Sequence, residues 1–167
     1  MSDSVLSFLL GIIQGLTEFL PISSSAHLLL PSMLFGLNDL GLSFDIAVHA
    51  GTLTAVIYYF RNELLLMSKS FFIYDEYLLP HRKLALSLII ATIPIVFAGL
   101  FIKDLIEQRI FSIEHIAIAN IIFAGILLFA YLNKKDKNNL YAITFYSALF
   151  IGIFQTLALF PGASRSG

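Results

Sequence analysis

The sequence predicts an all-α, polytopic membrane protein with inverted-topology repeats and re-entrant helical hairpins. Three observations lead to this prediction: long apolar runs, the distribution of basic residues between them, and a motif that occurs twice. Of the 167 residues, 58% are hydrophobic and 13% are charged, whereas soluble domains are about half apolar and about a quarter charged. The mean hydropathy of +0.87 points in the same direction.

Charge and cysteine content exclude several classes of function. A formal net charge of -1 argues against a nucleic-acid partner, because phosphate backbones require a basic face. The chain has no cysteine, which excludes disulfides, thiolate metal sites and a cysteine nucleophile. The N-terminal residues MSDSV lack the basic residues with which a cleavable signal peptide begins, so none is expected.

Apolar runs predict the membrane segments, because a crossing helix needs about 20 mostly apolar residues. Prolines at the ends of two runs predict helices that stop within the bilayer. The predicted segments of this single integral membrane domain over 1–167 are a re-entrant hairpin over about 4–37, crossing helices over about 42–60, 84–102 and 116–132, and the first helix of a second re-entrant hairpin over about 140–160.

Basic residues predict the orientation, because cytoplasmic loops carry an excess of Lys and Arg. The loops over 61–83, 103–115 and 133–139 contain four, two and three of these residues, and the first sixty residues contain none. The first and third loops are therefore predicted to be cytoplasmic, and the N-terminus and the second loop to face outward. Residues 1–41 then enter and leave the bilayer on the same side, as a re-entrant hairpin does.

A repeated motif indicates where a site is formed. GIIQGLTEFLPISSSAH (Gly11–His27) resembles GIFQTLALFPGASRSG (Gly152–Gly167) in its glycine, its glutamine and a proline followed by serines. Three crossings separate the copies, so the second enters from the opposite side. Inverted repeats with broken helices form a site at the repeat interface. The two tips, Ser23–Ser25 and Ser164–Ser166, are expected to face each other.

Polar side chains in the first copy are candidates for chemistry. Gln14 and Glu18 are spaced i, i+4 on one helical face, and a carboxylate at membrane depth is costly and therefore a functional candidate. The alternative is a protonated Glu18 that hydrogen-bonds to a neighbouring helix. Ser23, Ser24 and Ser25 can cap the returning helix, and the start of a helix also binds anions.

Two histidines accompany these residues. His27 follows Ser24 by three residues and can lie on the same face, as a base beside a nucleophile. The alternative is a histidine whose polar atoms are satisfied within the helix packing. Asp45 and His49, also spaced i, i+4, are either supporting residues of the same pocket or a hydrogen-bonded pair between helices.

Arg165 is the strongest single signal in the second copy. Arginine binds phosphate bidentately and stays charged, and with Ser164 and Ser166 it is typical of an anion nest. Snorkelling at the membrane interface is the alternative. An anion clamp, a hydroxyl, a base and a carboxylate suit the phosphate group of a lipid. Glu18 could also hold a divalent cation, Mg²⁺ or Ca²⁺, against phosphate oxygens.

These motifs resemble those of a known family. QGLTEFLPISSSAH is similar to the (E/Q)xxxE–PxSSxxH segment of the bacitracin-resistance type undecaprenyl-diphosphate phosphatases, FDIAVHAGTLTAV to the segment that follows, and PGASRSG to the start of their PGxSRSxxT motif. The resemblance implies an enzyme of the bacterial inner membrane, with inverted repeats and a site open to the outer side. It would remove one phosphate from a C55 isoprenyl diphosphate, recycling the carrier lipid for peptidoglycan synthesis and giving bacitracin resistance.

The resemblance also implies roles for individual residues. Ser24 aligns with the proposed nucleophile and His27 with the acid/base, and Glu18 is part of the first motif. Gln14 fills a position where the family has Glu or Gln, which weakens any metal site built on two carboxylates. The chain stops at Gly167, before the threonine of the second motif, so an N-terminal fragment that is inactive alone is expected. The phosphate-binding motif is represented by Ser164, Arg165 and Ser166.

Other functions stay open at the level of sequence. A transporter or flippase of an anionic isoprenyl lipid is the main alternative, because inverted repeats with broken helices are typical of transporters. A structural membrane subunit would leave Glu18 and Arg165 unexplained. The sequence does not decide whether Ser24 attacks directly or His27 activates water. It leaves the oligomeric state open, a homodimer included.

Overall fold

The computed structural model of the protein describes residues 2–107, 112–134, 141 and 143–164. Over these ranges the chain is helical and contains no strand, which confirms the predicted all-α class. Two 3-10 turns, Glu76–Leu78 and Thr156–Leu159, precede the fifth helix and follow the seventh. In chain order the helices are α1 (Asp3–Thr17), α2 (Ser24–Phe35), α3 (Gly41–Tyr59), α4 (Arg61–Lys69), α5 (Leu79–Glu107), α6 (Ile113–Leu132) and α7 (Phe145–Gln155).

Three helices in the described part of the chain are long and apolar enough to cross a membrane, namely α3, α5 with the turn before it, and α6. Only 6%, 11% and 6% of their most apolar stretches are buried inside the protein, so most of their apolar side chains face outward. A bilayer supplies the apolar surroundings that such side chains require. The protein is therefore a polytopic membrane protein, and the predicted spans over 42–60, 84–102 and 116–132 fall on these helices.

The helices α1 and α2 form an antiparallel hairpin at the N-terminus. With 15 and 12 residues they are roughly 22 and 18 Å long, which is less than the roughly 30 Å of a hydrocarbon core. The Asn38 side-chain amide donates to the Asp3 carboxylate at 2.9 Å, so the chain after α2 lies beside the start of α1. The hairpin falls on the predicted segment over 4–37. Its position within a bilayer stays a prediction.

Pro21 explains why the hairpin bends where it does. Proline has no N–H for the helix and disfavours helical backbone in the residue before it. The bond from the Glu18 N–H to the Gln14 carbonyl at 2.9 Å ends α1, and a turn bond from the Leu20 N–H to the Thr17 carbonyl at 3.1 Å follows it. The polar residues Glu18 and Ser23–Ser25 therefore lie at the closed end of the hairpin. By contrast, α2 continues unbroken through Pro31.

Tertiary contacts divide the chain into two units, and the first consists of Met1–Ala55, Asp104–Asn133 and Ala158–Gly167. Its buried core is formed by Leu6 and Leu10 of α1 and Leu28 of α2. The partly buried side chains around this core are those of Ile13, Leu37, Leu40, Phe44 and Val48. Two of these belong to the first half of α3, so the core attaches the hairpin to α3.

The second unit, Val56–Lys103 and Lys134–Leu157, contains α4 and most of α5 and α7. Within it α7 approaches α5 closely at Gly152, where an added Cβ would lie 2.3 Å from the carbonyl oxygen of Ala91. Ala148, one turn earlier on α7, is buried. Small residues four apart allow membrane helices to bring their backbones together. The glycine of the second GIxQ motif therefore has a packing role.

Replacing Gly152 with Ala is expected to lower the free energy of unfolding by roughly 1–3 kcal/mol, because the added methyl group collides with the Ala91 main chain. Gly11→Ala is the matched control, since Gly11 has the equivalent position in the first motif and an added Cβ there meets nothing within 4 Å. Thermal denaturation of the full-length protein in detergent measures both variants. Equal melting temperatures would contradict the close approach of α7 to α5.

Candidate active site

A cleft lies at the closed end of the hairpin, within the first unit. One wall comes from the break between α1 and α2, and the other from the segment that follows the last 3-10 turn. The cleft is lined by Glu18, Ser23, Ser24, Ser25, Ala163 and Ser164. Ser164 thus faces the first serine tip, as the repeat predicts. Arg165 and Ser166, the other two predicted phosphate ligands, lie outside the described residues.

The Glu18 carboxylate is the centre of a polar network. Its Oε2 accepts hydrogen bonds from Ser24 Oγ and, at 2.8 Å, from Gln14 Nε2. His49 Nε2 lies 3.6 Å from the same oxygen. The side chains of His49 and Glu18 are 22% and 19% exposed, so the network is largely shielded from solvent. The contacts join residues from α1, α2 and α3.

Gln14 orients Glu18 from one turn earlier on α1. The Gln14 side chain is fully buried, and its amide nitrogen donates to the carboxylate. Its Oε1 is buried and has no hydrogen-bond partner among the described residues. A buried amide with an unpaired oxygen lowers stability. The role of Gln14 is therefore to orient the Glu18 carboxylate and not to stabilise the helix packing. The i, i+4 spacing predicts this contact.

The Ser24 hydroxyl donates its hydrogen bond to Glu18 and not to His27, the base that the sequence predicts. In the described part of the chain no hydrogen bond joins Ser24 to His27. Instead, His27 Nδ1 donates to the main-chain carbonyl of Ser23 at 2.9 Å, which turns the imidazole back along its own helix. The break at Pro21 meanwhile folds Glu18 over the start of α2. The base within reach of the Ser24 hydroxyl is therefore a carboxylate.

His49 approaches the cleft residue Glu18 from α3. Its Nδ1 donates to the main-chain carbonyl of Asp45 at 2.7 Å, and this bond directs Nε2 towards Glu18. The predicted pair of Asp45 and His49 is thus joined through the main-chain carbonyl of Asp45. Of the two alternatives that the sequence leaves open, the approach to Glu18 favours a supporting residue of the pocket for His49.

Two hydrogen bonds join the hairpin tip to the second copy of the motif. The Gly162 N–H donates to Ser23 Oγ at 3.2 Å in a buried position, and Ser164 Oγ donates to the Leu20 carbonyl at 3.3 Å. Ser23 is the N-cap residue of α2, but its side chain makes no capping hydrogen bond. The predicted cap is therefore absent at Ser23, because its hydroxyl is directed to Gly162. The main-chain N–H groups at the start of α2 can instead serve an anion.

Sequence reasoning missed Ala163, which lines the cleft, and Gly162, which contacts the cleft residue Ser23. Gly162 has a φ of +106°, and a Cβ there would lie 2.8 Å from the carbonyl oxygen of Ile116 and 2.9 Å from Ala119 Cβ on α6. Only glycine combines this backbone conformation with so close an approach. The Pro161–Gly162 pair is a turn signal that could have identified the position, although it does not indicate which helix the turn contacts.

The chain matches a known protein family over most of its length. The family model of the bacitracin resistance protein BacA matches residues 7–167. The chain belongs to the BacA family. It is 47% identical over 163 residues to the undecaprenyl-diphosphatase of Aliivibrio salmonicida (strain LFI1238). This match covers 96% of the chain and 61% of that relative, so the chain spans about three fifths of the length of the curated BacA-type protein.

The cleft of this BacA family member offers few ligands for a divalent cation. No group of three or more His, Cys, Asp or Glu side chains that could hold a metal occurs in the described ranges. Glu18 is the one carboxylate residue among the described residues that line the cleft. Mg²⁺ commonly binds through one or two carboxylates together with substrate phosphates. The donors present therefore fit a cation that arrives with a phosphate group.

Replacing Gly162 with Ala is expected to destabilise the BacA-type fold, by roughly 1–3 kcal/mol from the collision with α6 in addition to backbone strain. Gly36→Ala is the control, because Gly36 also has a positive φ of +62° but an added Cβ meets nothing within 4 Å. The melting temperatures of the two full-length variants in detergent separate collision from strain. If Gly162→Ala melts no lower than Gly36→Ala, the contact with α6 is wrong.

Proposed function

We propose that the full-length protein is a membrane phosphatase that hydrolyses undecaprenyl diphosphate to undecaprenyl phosphate and inorganic phosphate. The observation that carries the proposal is the hydrogen bond from Ser24 Oγ to the Glu18 carboxylate at the start of α2. It pairs a hydroxyl nucleophile with a base beside a helix N-terminus that favours phosphate. The name of the relative, undecaprenyl-diphosphatase, supports this substrate. Recycling of the carrier lipid for peptidoglycan synthesis would account for bacitracin resistance.

Ser24 acts as the nucleophile in this proposal. Its Oγ attacks the terminal phosphorus, Glu18 takes the hydroxyl proton, and the bond to the bridging oxygen breaks, which releases the lipid monophosphate. Water then attacks the phosphoserine, the bond between Oγ and phosphorus breaks, and Glu18 returns its proton to Ser24. Gln14 and His49 keep the carboxylate directed towards the hydroxyl.

His27 acts on the water of the second step. Because His27 Nδ1 donates to the Ser23 carbonyl, Nε2 is the ring nitrogen that can accept the water proton. The family resemblance assigns acid/base chemistry to the same position. Direct attack by water activated by His27 is the alternative within this function. Labelled phosphate can be trapped on Ser24 only if Ser24 attacks, and not if water attacks directly.

The charge of the diphosphate requires positive partners. Arg165, with Ser164 and Ser166, is proposed as the phosphate clamp, since the guanidinium group binds phosphate bidentately. The N–H groups at the start of α2 face the same cleft. A divalent cation, Mg²⁺ or Ca²⁺, held by Glu18 and the phosphate oxygens, would neutralise part of the phosphate charge when bound.

The proposed location is the bacterial inner membrane, with the active site facing the outer side. The surplus of basic residues in the loops over 61–83 and 133–139 supports this orientation, because such loops remain in the cytoplasm. A flippase of the same lipid is distinguished in vesicles that contain the full-length protein. Lipid translocation without phosphate release would contradict the phosphatase and favour the flippase.

Ser24→Ala and Glu18→Gln are each expected to lower kcat by about 10²–10⁴-fold, because each removes one partner of the nucleophile–base pair. Ser32→Ala is the matched control, since it removes a hydroxyl from the same helix that donates to the Leu29 carbonyl at 2.9 Å and does not line the cleft. Phosphate release by the full-length protein in detergent measures all three. Full turnover in both cleft variants would show that the site assignment is wrong.

Arg165→Ala is expected to lower kcat/KM by about 10- to 100-fold, because a hydrogen bond to a charged group contributes about 1.5–3 kcal/mol. Arg165→Lys restores the charge without the planar fork and should recover only part of this loss. Steady-state kinetics of phosphate release by the full-length protein compare the two variants. Kinetics like those of the unmodified protein for Arg165→Ala would exclude the clamp.

A further inference from the structure

The chain between α3 and α5 forms a surface that the cleft does not use. Residues 61–83, here called the interfacial segment, comprise α4, a turn and the first residues of α5, and all belong to the second unit. Two helices of membrane-spanning character, α3 and α5, flank the segment directly. The nine residues of α4 are too few to cross a bilayer. The segment is therefore held close to the ends of membrane helices.

The backbone of the interfacial segment is well supported. Ser70, Leu78 and His81 are buried, and the Ser70 hydroxyl donates to the Met67 carbonyl at 2.5 Å. The Asp75 carboxylate accepts from the Tyr77 N–H at 2.9 Å and caps the 3-10 turn. The outward side chains are thus presented by a folded element, which lowers the entropy that they lose on binding.

The outward side chains of the segment are unusually aromatic. Phe72 and Tyr74 are 90% and 89% exposed, and Tyr77 and Ile73 are also exposed. Exposed apolar clusters on a folded element mark interaction sites. Tyrosine in particular suits the boundary between water and hydrocarbon, because its ring is apolar and its hydroxyl is polar.

Basic side chains of the segment lie beside other aromatic rings. The Arg82 guanidinium carbon is 5.8 Å from the centre of the Phe71 ring, and that of Arg61 is 4.6 Å from the centre of the Tyr58 ring. Lys69 and Lys83 bring the basic residues of the segment to four, against three acidic ones. Cations beside exposed rings complement the phosphates of anionic phospholipid head groups.

We propose that the interfacial segment binds the head-group layer of the bilayer, with a preference for anionic phospholipids. In this arrangement Phe72 and Tyr74 insert below the phosphates, and Arg82 and Lys83 contact the phosphates themselves. Because α3 and α5 already fix the segment at the membrane, weak contacts suffice to keep it there. The inference does not depend on the phosphatase activity.

Site-directed spin labelling of the full-length protein, freed of other cysteines, tests the insertion. Nitroxides at Phe72→Cys and, as the matched control on α4, at Glu63→Cys are compared in phosphatidylcholine vesicles with and without one quarter phosphatidylglycerol. The label at 72 should be severalfold more accessible to oxygen than to a water-soluble nickel complex, and more so with phosphatidylglycerol. The label at 63 should favour the nickel complex.

The charge variant Arg82→Gln/Lys83→Gln tests the lipid preference. It should lower the phosphatidylglycerol-dependent change in accessibility at position 72 severalfold, because each Lys or Arg raises the affinity for an anionic surface about fivefold. Equal accessibility of labels 72 and 63 to the nickel complex would overturn the proposal. A label at 72 that is shielded from both oxygen and nickel would also overturn it, because protein would then cover the segment.

Discussion

The pairing of the Glu18 carboxylate is the constraint on which the rest of the first unit depends. A carboxylate among apolar helices is tolerated only where hydrogen-bond donors replace water. Gln14 donates from α1, Ser24 donates from the start of α2, and His49 approaches from α3. These contacts exist together only when the hairpin is closed and α3 is packed against it. The leucine core of the hairpin therefore stabilises the geometry of the cleft as well as the fold.

The two copies of the repeated motif have similar sequences but different packing. In the first copy an added Cβ at Gly11 meets open space, whereas in the second a Cβ at Gly152 would collide with the main chain of Ala91. What the copies share is the break at a proline followed by serines. Those breaks bring Ser23 and Ser164 to one cleft. The repeat thus reflects the chemistry of the tips more than the contacts of the helices that carry them.

Much of the helical architecture could be predicted from the sequence, because the signals are local. The apolar runs over 84–102 and 116–132 need no partner to be recognised as membrane helices, and they fall on α5 and α6. The break at Pro21 follows from a missing N–H group. Pro31, by contrast, does not end a helix, because α2 continues through it from Ser24 to Phe35.

The sequence by itself determined the helical class, the membrane character and the segments that carry the polar side chains. Only the tertiary structure decided which of these side chains meet. Ser24 bonds to Glu18 across the Pro21 break, and not to His27 on its own helix. Ser23 bonds to Gly162, which is 139 residues away in the chain. Helical spacing describes contacts within one element, whereas these partners come from separate elements whose approach depends on the packed hairpin.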